Sequence, residues 1–373
     1  MNFSTADQEY MSLAIETARY ARNLTTPNPA VGCVIVVADE IVAAAHTLPA
    51  GDMHAEAQAL LKADREVQGG TAYVTLEPCC HHGKTPPCTE SIIAAGLKRL
   101  VVAQLDPNPL VAGKGVAALR GAGIQVDEGL LADQAAQLNA GFFKRMQSGM
   151  PKVTIKAAMS MDGRTAMASG ESKWITGTSA RQDVQKLRAR SCAILTGIET
   201  VLADDPSMTV RMSAPELNQE GFVVRQPWRV ILDTNLRTPV KAKIIGEDSR
   251  CLIFHAHDKQ ESSSVLQSAG ADVVIANTGA KSIDLNSVLA ELGEREINEV
   301  LVEAGATLTG ALLKEQLVDE VVLYIAPKLM GSQARPLFDL LSIANMHEAI
   351  ELEFTELEQI GDDLKIRAIP KYS

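Results

Sequence analysis

His54-Ala55-Glu56 is followed by Glu77-Pro78-Cys79 and, nine residues later, by Cys88. One imidazole and two thiols are suited to a zinc ion that keeps its fourth position open for water. Zinc lowers the pKa of a water from ~15.7 to ~7, which turns a poor nucleophile into one able to attack an amidine-like ring carbon. Glu56 stands two residues from the first donor, close enough to move protons to and from that water without binding the metal. It would take the water proton, protonate a ring nitrogen and then protonate the departing amine, acting as base and acid in turn. Carbonyl replaces amine, and ammonia leaves. A second reading starts from the same stretch: Cys79-Cys80-His81-His82 offers further donors, and a site closed by four protein ligands would be structural.

The elements around these residues place them where loops leave a layered α/β domain. Cys79 follows an apolar, strand-like run at 71–76, and Cys88 opens Cys88-Thr89-Glu90-Ser91-Ile92-Ile93-Ala94-Ala95, which reads as a helix. A thiolate at a helix N-terminus is favoured by the exposed N–H groups there. Residues 54–62, rich in Ala and Leu, predict a helix with His54 and Glu56 in its first turn. Upstream, Thr5 and Gln8 suggest a capping box for a helix reaching about residue 22, with Met11, Ile15, Ala18 and Arg22 at helical spacing. A rigid turn, Thr25-Thr26-Pro27-Asn28-Pro29, leads to strands at 31–37 and 41–45. Strands at 100–105 and 124–127 then alternate with helices at 116–121 and 131–146.

Gln147-Ser148-Gly149-Met150-Pro151 reads as a domain boundary, giving domains at 1–148 and 149–373. The second half begins with a strand at 152–159. Further apolar runs at 193–195, 229–232, 251–254, 273–275, 300–302 and 321–325 predict another α/β domain with a buried, mostly parallel sheet. Runs at 354–357 and 364–369 close it as an antiparallel pair at the edge. Val300-Leu301-Val302-Glu303-Ala304-Gly305-Ala306-Thr307-Leu308-Thr309-Gly310-Ala311 is a strand that breaks at glycine and enters a helix. Such a turn either offers helix N–H groups to a dinucleotide phosphate or is simply a tight connection. It is not a P-loop, and the chain has no Gly-x-Gly-x-x-Gly fingerprint.

His-x-Glu followed by Pro-Cys is the signature of zinc-dependent base deaminases, although the generic form has two residues between its cysteines and here there are eight. Thr26-Pro27-Asn28-Pro29-Ala30-Val31-Gly32-Cys33, His54-Ala55-Glu56 and Thr75-Leu76-Glu77-Pro78-Cys79-Cys80-His81-His82-Gly83-Lys84-Thr85-Pro86-Pro87-Cys88 together resemble the bifunctional deaminase/reductase family of riboflavin biosynthesis. The long loop between cysteines is that family's own variant. The resemblance implies that His54, Cys79 and Cys88 bind zinc and that Glu56 moves the protons. One departure is Thr47, which stands where the family usually has a histidine, with His46 beside it.

The resemblance extends through Lys156-Ala157-Ala158-Met159-Ser160-Met161-Asp162-Gly163-Arg164, Ser169-Gly170-Glu171-Ser172, Trp174-Ile175-Thr176, Asp204-Asp205-Pro206 and Glu303-Ala304-Gly305. It implies a cytidine-deaminase-like three-layer α/β/α domain followed by a dihydrofolate-reductase-like α/β domain that uses NADPH. Ala158, Trp174, Thr200, Asp204 and the turn Gly305, Ala306, Thr307, Leu308, Thr309, Gly310 and Ala311 then fall at cofactor positions. Ser172, Arg188, Met208, Arg211 and Glu303 fall at substrate positions, with Lys156 for the ribose hydroxyls. Arg188 and Arg211 could grip a ribose phosphate. Ala304 replaces a second glycine found in many relatives. Taken apart from the resemblance, Trp174 could be a core aromatic, Arg188 part of a solvated helix face, and Asp204 a turn former.

The implied activity is hydrolysis of the 2-amino group of 2,5-diamino-6-hydroxy-4-(5-phosphoribosylamino)pyrimidine, then reduction of the ribosyl to a ribityl chain, in a homodimer. The charge balance fits a small phosphorylated substrate. Residues 1–150 hold 11 Lys+Arg against 15 Asp+Glu, which leaves 24 against 31 of the chain's 35 and 46. Neither half advertises the basic surface that a nucleic acid needs. The competing readings are a nucleic-acid base deaminase with an unrelated C-terminal half, and a non-catalytic, zinc-stapled nucleotide-sensing module. The opening residues do not read as a signal peptide and no apolar run is long enough to span a bilayer, so the expected site is cytoplasmic without membrane attachment. Six cysteines spread over a chain of this size argue against a disulfide framework.

Overall fold

The computed structural model describes residues 3–63, 66–82, 86–246, 250–257, 259–277, 282–340 and 343–372. Of the motif residues, Gly83, Lys84 and Thr85 lie outside the described residues. The chain divides into two compact units, Met1–Met150 and Pro151–Ser373.

In the first unit the order is α1 (Thr5–Ala21), β1 (Gly32–Val37), β2 (Glu40–His46), α2 (Ala55–Lys62), β3 (Thr71–Val74), α3 (Cys88–Ala94), β4 (Arg99–Val102), α4 (Lys114–Gly121), β5 (Gln125–Glu128), α5 (Ala132–Leu138) and α6 (Ala140–Ser148). Among the described residues the strands form one sheet in the order β2-β1-β3-β4-β5. Strand β1 runs antiparallel to both neighbours, while β3, β4 and β5 are parallel. The buried strands alternate their side chains between two helical layers. Cys33, Ile35, Val74 and Val102 pack with Ala59 of α2, Ile92 of α3 and Leu119 of α4. Val34, Val36 and Val101 pack with Met11 and Ile15 of α1 and Leu138 of α5. Three layers result, as expected.

Two local expectations are corrected here. The capping box of α1 is formed by Ser4 and Asp7, one residue before the anticipated Thr5 and Gln8. The Ser4 hydroxyl accepts the Asp7 N–H, and the Asp7 carboxylate accepts the Ser4 N–H. The single helix expected over 131–146 is two helices, α5 and α6, broken at Asn139. The buried Asn139 amide accepts the Ala30 N–H at 2.8 Å and donates to the Ala30 carbonyl at 2.9 Å, which fixes the break.

The second unit contains β6 (Lys152–Ser160), β7 (Arg164–Ala166), α7 (Thr178–Arg190), β8 (Ala193–Gly197), α8 (Ile198–Asp204), β9 (Trp228–Leu232), β10 (Cys251–His255), α9 (Gln260–Ser268), β11 (Ala271–Ile275), α10 (Leu285–Glu294), β12 (Glu299–Val302), α11 (Ala306–Lys314), β13 (Glu320–Ala326), β14 (Arg335–Pro336), β15 (Glu351–Ile360) and β16 (Asp363–Lys371). Its main sheet has the order β11-β10-β9-β8-β12-β6-β13-β16-β15. All pairings from β11 to β13 are parallel, and β16 and β15 add an antiparallel pair at the edge. From β8 the chain steps outward to β11, returns as β12 into the slot beside β6, and continues past β6 to β13. The order therefore reverses at β8, β12 and β6, and a crevice at the carboxyl ends of such strands is where α/β sheets bind ligands. The small β7–β14 pair was not anticipated from the sequence.

Candidate functional site

His54 is the N-cap of α2, Cys88 opens α3, and Cys79 lies in the connection between β3 and α3. The Nδ1 atom of His54 lies 3.5 Å from Cys79 Sγ and 3.4 Å from Cys88 Sγ. The three donor atoms all lie within 4.8 Å of one another. A tetrahedral zinc with bonds of ~2.3 Å to sulfur and ~2.0 Å to nitrogen has S···N edges of about 3.5 Å, so the donors already stand at the separations the ion requires. Cys88 N–H also donates to Cys79 Sγ at 3.3 Å, so the N–H at the start of α3 serves the Cys79 sulfur, whereas the sequence predicts stabilisation of Cys88. Hydrogen bonding with the Cys88 thiol, opposed by burial and supported by His54, lowers the pKa of Cys79.

Among the described residues no further His, Cys, Asp or Glu joins this cluster. His81 and His82 are exposed, and His82 pairs with Glu90 on the surface. The closed four-ligand reading loses its donors, and the open three-ligand site remains. Glu56 is 4% exposed and stands outside the donor set. Burial raises its pKa, with the opposing pull of His54 second. Thr47 is buried and its backbone N–H donates to the Val31 carbonyl, while its hydroxyl accepts the Val31 N–H. The residue at the family's histidine position is thus fastened to Val31, just before β1, and the half-buried His46 ends β2 opposite Gly32.

In the second unit, Glu303 follows β12 directly and is 8% exposed. Its carboxylate accepts Arg188 Nε at 2.6 Å and Arg188 NH2 at 3.1 Å, and meets Lys156 Nζ at 2.9 Å. The third guanidinium nitrogen of Arg188 donates to the Thr209 carbonyl at 3.1 Å. Burial alone would raise Glu303, but the charges of Lys156 and Arg188 outweigh it and hold the carboxyl well below the usual range. Three substrate positions from β6, α7 and β12 therefore meet in one cluster. Arg188 is not on a solvated face, since Glu303 and the Thr209 carbonyl take three of its five N–H donors. Arg211 is exposed, with its backbone N–H on Gln185. Met208 is buried in the core beside Ile194 and Ile231, and Ser172 is half-buried.

Of the cofactor positions, Ala158 lies on the same face of β6 as Lys156. Trp174 is 65% exposed under the Arg181 guanidinium, so it is not a core aromatic. Lys328 Nζ donates to the Trp174 and Ile175 carbonyls and fixes that turn. Thr200 and Asp204 lie on α8, half-buried and exposed respectively. Gly305 is the N-cap of α11, with φ −75° and no protein atom within 4 Å of where a Cβ would sit. Gly310 has a different reason for lacking a side chain: a Cβ there would come 2.2 Å from the Asp339 carbonyl oxygen.

Residues 4–104 match the cytidine and deoxycytidylate deaminase zinc-binding region, and residues 151–366 match the RibD C-terminal domain. The riboflavin biosynthesis protein RibD of Haemophilus influenzae is 46% identical over 100% of this chain and 99% of its own length. The chain belongs to the RibD family. The RibD of Escherichia coli strain K12 is 44% identical over 97% of this chain and 99% of its own. Among solved structures, a RibD of Acinetobacter baumannii (form 1) superposes with a TM-score of 0.90 at 45% identity, covering 98% of this chain and 99% of that one. A diaminohydroxyphosphoribosylaminopyrimidine deaminase/5-amino-6-(5-phosphoribosylamino)uracil reductase of Thermotoga maritima gives 0.86 at 31% identity, with the same coverage. As a RibD-family member the chain is a bifunctional enzyme, a zinc-binding deaminase region joined to an NADPH-dependent reductase domain. The C-terminal match removes the reading in which a nucleic-acid deaminase carries an unrelated second half.

Proposed function

We propose that the first domain, 1–148, hydrolyses the 2-amino group of 2,5-diamino-6-hydroxy-4-(5-phosphoribosylamino)pyrimidine. The second, 149–373, would reduce the ribosyl group of the resulting aminouracil to ribityl. The observation that carries this reading is the donor triangle of His54, Cys79 and Cys88 with the buried, non-ligating Glu56 beside it. His54, Cys79 and Cys88 hold zinc, whose Lewis acidity makes water a competent nucleophile near neutral pH. Glu56 takes one proton from the attacking water and gives it to a ring nitrogen, then takes the second from the hydroxyl on the tetrahedral carbon and gives it to the leaving amine.

In the reductase domain, NADPH supplies the hydride, and the protein supplies position and charge. Gly305 leaves open space at the N-terminus of α11, where the first-turn N–H groups of Ala306, Thr307 and Leu308 suit a phosphate-bearing cofactor, with Thr309, Gly310 and Ala311 continuing the same turn into the helix. Ala158, Trp174, Thr200 and Asp204 complete that side. Ser172, Met208, Arg211, Lys156 and Glu303 form the substrate side; Arg211 serves the phosphate, while Arg188 orients Glu303. A homodimer and a cytoplasmic location belong to the same proposal. The edge strand β15 exposes Phe354 and Leu357. Among the described residues no helix is long and apolar enough to cross a membrane.

The test follows ammonia release and NADPH absorbance together, in zinc-loaded wild type and in Glu56→Gln, with the pyrimidine substrate. Both signals are expected in wild type and neither in the variant, with NADPH oxidation restored to the variant by supplying the deaminated intermediate. Ammonia without NADPH oxidation, even with that intermediate present, would sink the reductase assignment. Cofactor binding with no turnover in either protein would support the non-catalytic module instead.

A further inference from the structure

Glu77 is absorbed by neither half of the chemistry, yet it is the most heavily bonded carboxylate next to the metal corner. It is 3% exposed and sits two residues before Cys79. Its own N–H donates to the Gln104 carbonyl at 2.9 Å, which prolongs the β3–β4 pairing beyond the strands. Its carboxylate accepts three main-chain N–H groups from another part of the chain: Asp106 at 3.2 Å, Gly113 at 2.9 Å and Val116 at 3.0 Å.

Helix α4 explains the arrangement. Its N-cap is Gly113, with φ 81° and no side chain to accept the first N–H groups. Glu77 supplies that acceptor from the metal-ligand loop. Gly115 shows how closely the two segments press together, since a Cβ there would lie 2.2 Å from the Pro78 carbonyl oxygen and 3.1 Å from Glu77 Oε1. Residues 106–113 are thereby pinned against the chain that carries Cys79. The loop has internal order too, because Asp106 Oδ1 accepts the Asn108 N–H at 2.8 Å. Asp106 is buried and near enough to feel the charges of Glu77, Cys79 and His81.

We infer that Glu77 is a positioning residue for the deamination: by holding α4 and the 106–113 loop to the Pro78-Cys79 corner, it sets both the grip on the metal and the wall against which the pyrimidine is placed. The inference rests on the deaminase reading above. Glutamine at this position keeps the shape but offers one acceptor oxygen and an NH₂ that faces N–H groups.

The experiment compares wild type with Glu77→Gln. Zinc transfer to a chromogenic chelator and the KM for the pyrimidine are each expected to rise about tenfold, with kcat within about twofold, in line with the cost of disturbing contacts that orient a metal ligand. NADPH oxidation with the deaminated intermediate should be unchanged, which shows that the second unit is intact. Unaltered zinc release and KM would overturn the inference and leave Glu77 as a helix cap alone; a fall in kcat at constant KM would overturn it in favour of proton transfer. If Glu77→Gln does not accumulate folded, Gly115→Ala carries the test. It presses on the same contact from α4 with Glu77 intact, and the same rise is expected, its absence being decisive against the inference. Zinc release needs no turnover, so it decides the matter even if the substrate assignment fails.

Discussion

The metal corner of the first unit and the charged cluster of the second are built on opposite principles. At the corner, three donors converge at S···N separations of 3.4 and 3.5 Å and their chemistry calls for an ion. In the cluster, Lys156, Arg188 and Glu303 converge as well, but their charges answer one another. The first arrangement is an appetite for a ligand, whereas in the second a single carboxylate already engages both cations. Convergence of polar groups in a buried place is therefore not sufficient to identify a binding atom. What matters is whether the groups complement each other or compete for something between them.

Removing the metal should give the largest difference between the two. Treatment with a strong chelator, or Cys88→Ser, is expected to lower ammonia release by a factor on the order of 10³ or more, reflecting several kcal/mol of lost charge stabilisation. Reduction of the deaminated intermediate should persist in the same sample. A parallel loss of both activities would break the comparison, because the second site would then depend on the ion.

The next effect is on stability. Glu303→Gln leaves Arg188 and Lys156 buried without their counter-charge, and breaking such a network costs roughly 3–5 kcal/mol. Both tryptophans, Trp174 and Trp228, belong to the second unit, so the fluorescence transition in urea reports that unit alone. A shift of the fluorescence midpoint with zinc affinity unchanged is the expected result; an unshifted midpoint would mean that water repairs the network. Acid should do the same progressively. Glu303 is held below its ordinary value, and at Glu320 the charges of Lys152 and Arg367 overcome the opposing effect of burial and bring the carboxyl to about 2. A carboxyl whose folded pKa is depressed stabilises the fold above its unfolded value and loses that contribution as the pH falls through the folded one. The fluorescence midpoint should hold above about pH 4.5 and fall as the pH drops towards 2, and a midpoint independent of pH across that window would contradict it.

The same contrast governs what was legible in the sequence. The corner could be read because His54 and Glu56 are two residues apart, and because Cys79 and Cys88 flank a single loop. The layers and the parallel order of the second sheet were legible too, since apolar runs separated by helical stretches admit few arrangements. The Glu303 cluster was not, although each member was singled out. Arg188 and Glu303 are 115 residues apart, and charge alone does not say that an arginine will face a glutamate and not a phosphate. The break at Asn139 was hidden for the same reason, as its cause is a pair of hydrogen bonds to Ala30, 109 residues away. Trp174 shows the converse. Its type suggests a core, and only the fold reveals that it stands exposed beneath Arg181.

The smallest effect comes from a closed polar cluster in the first unit, far from any donor role. Asp7 accepts the Ser4 N–H and hydroxyl, the Tyr73 hydroxyl at 2.8 Å and Arg99 NH1 at 2.6 Å. Like Glu303 it is a buried carboxylate answered by its neighbours, but here the partners also begin a helix. Ser4→Ala removes one of them together with the cap, for a cost of about 1 kcal/mol. Thr5→Ala, one residue into α1, should cost close to nothing, because the cap lies before it. The loss should appear in the far-ultraviolet circular dichroism transition and leave the tryptophan fluorescence midpoint in place, since both tryptophans lie in the other unit. Equal effects at Ser4 and Thr5 would return the cap to the position first expected from the sequence, and would detach Asp7 from the helix start that makes it a closed cluster.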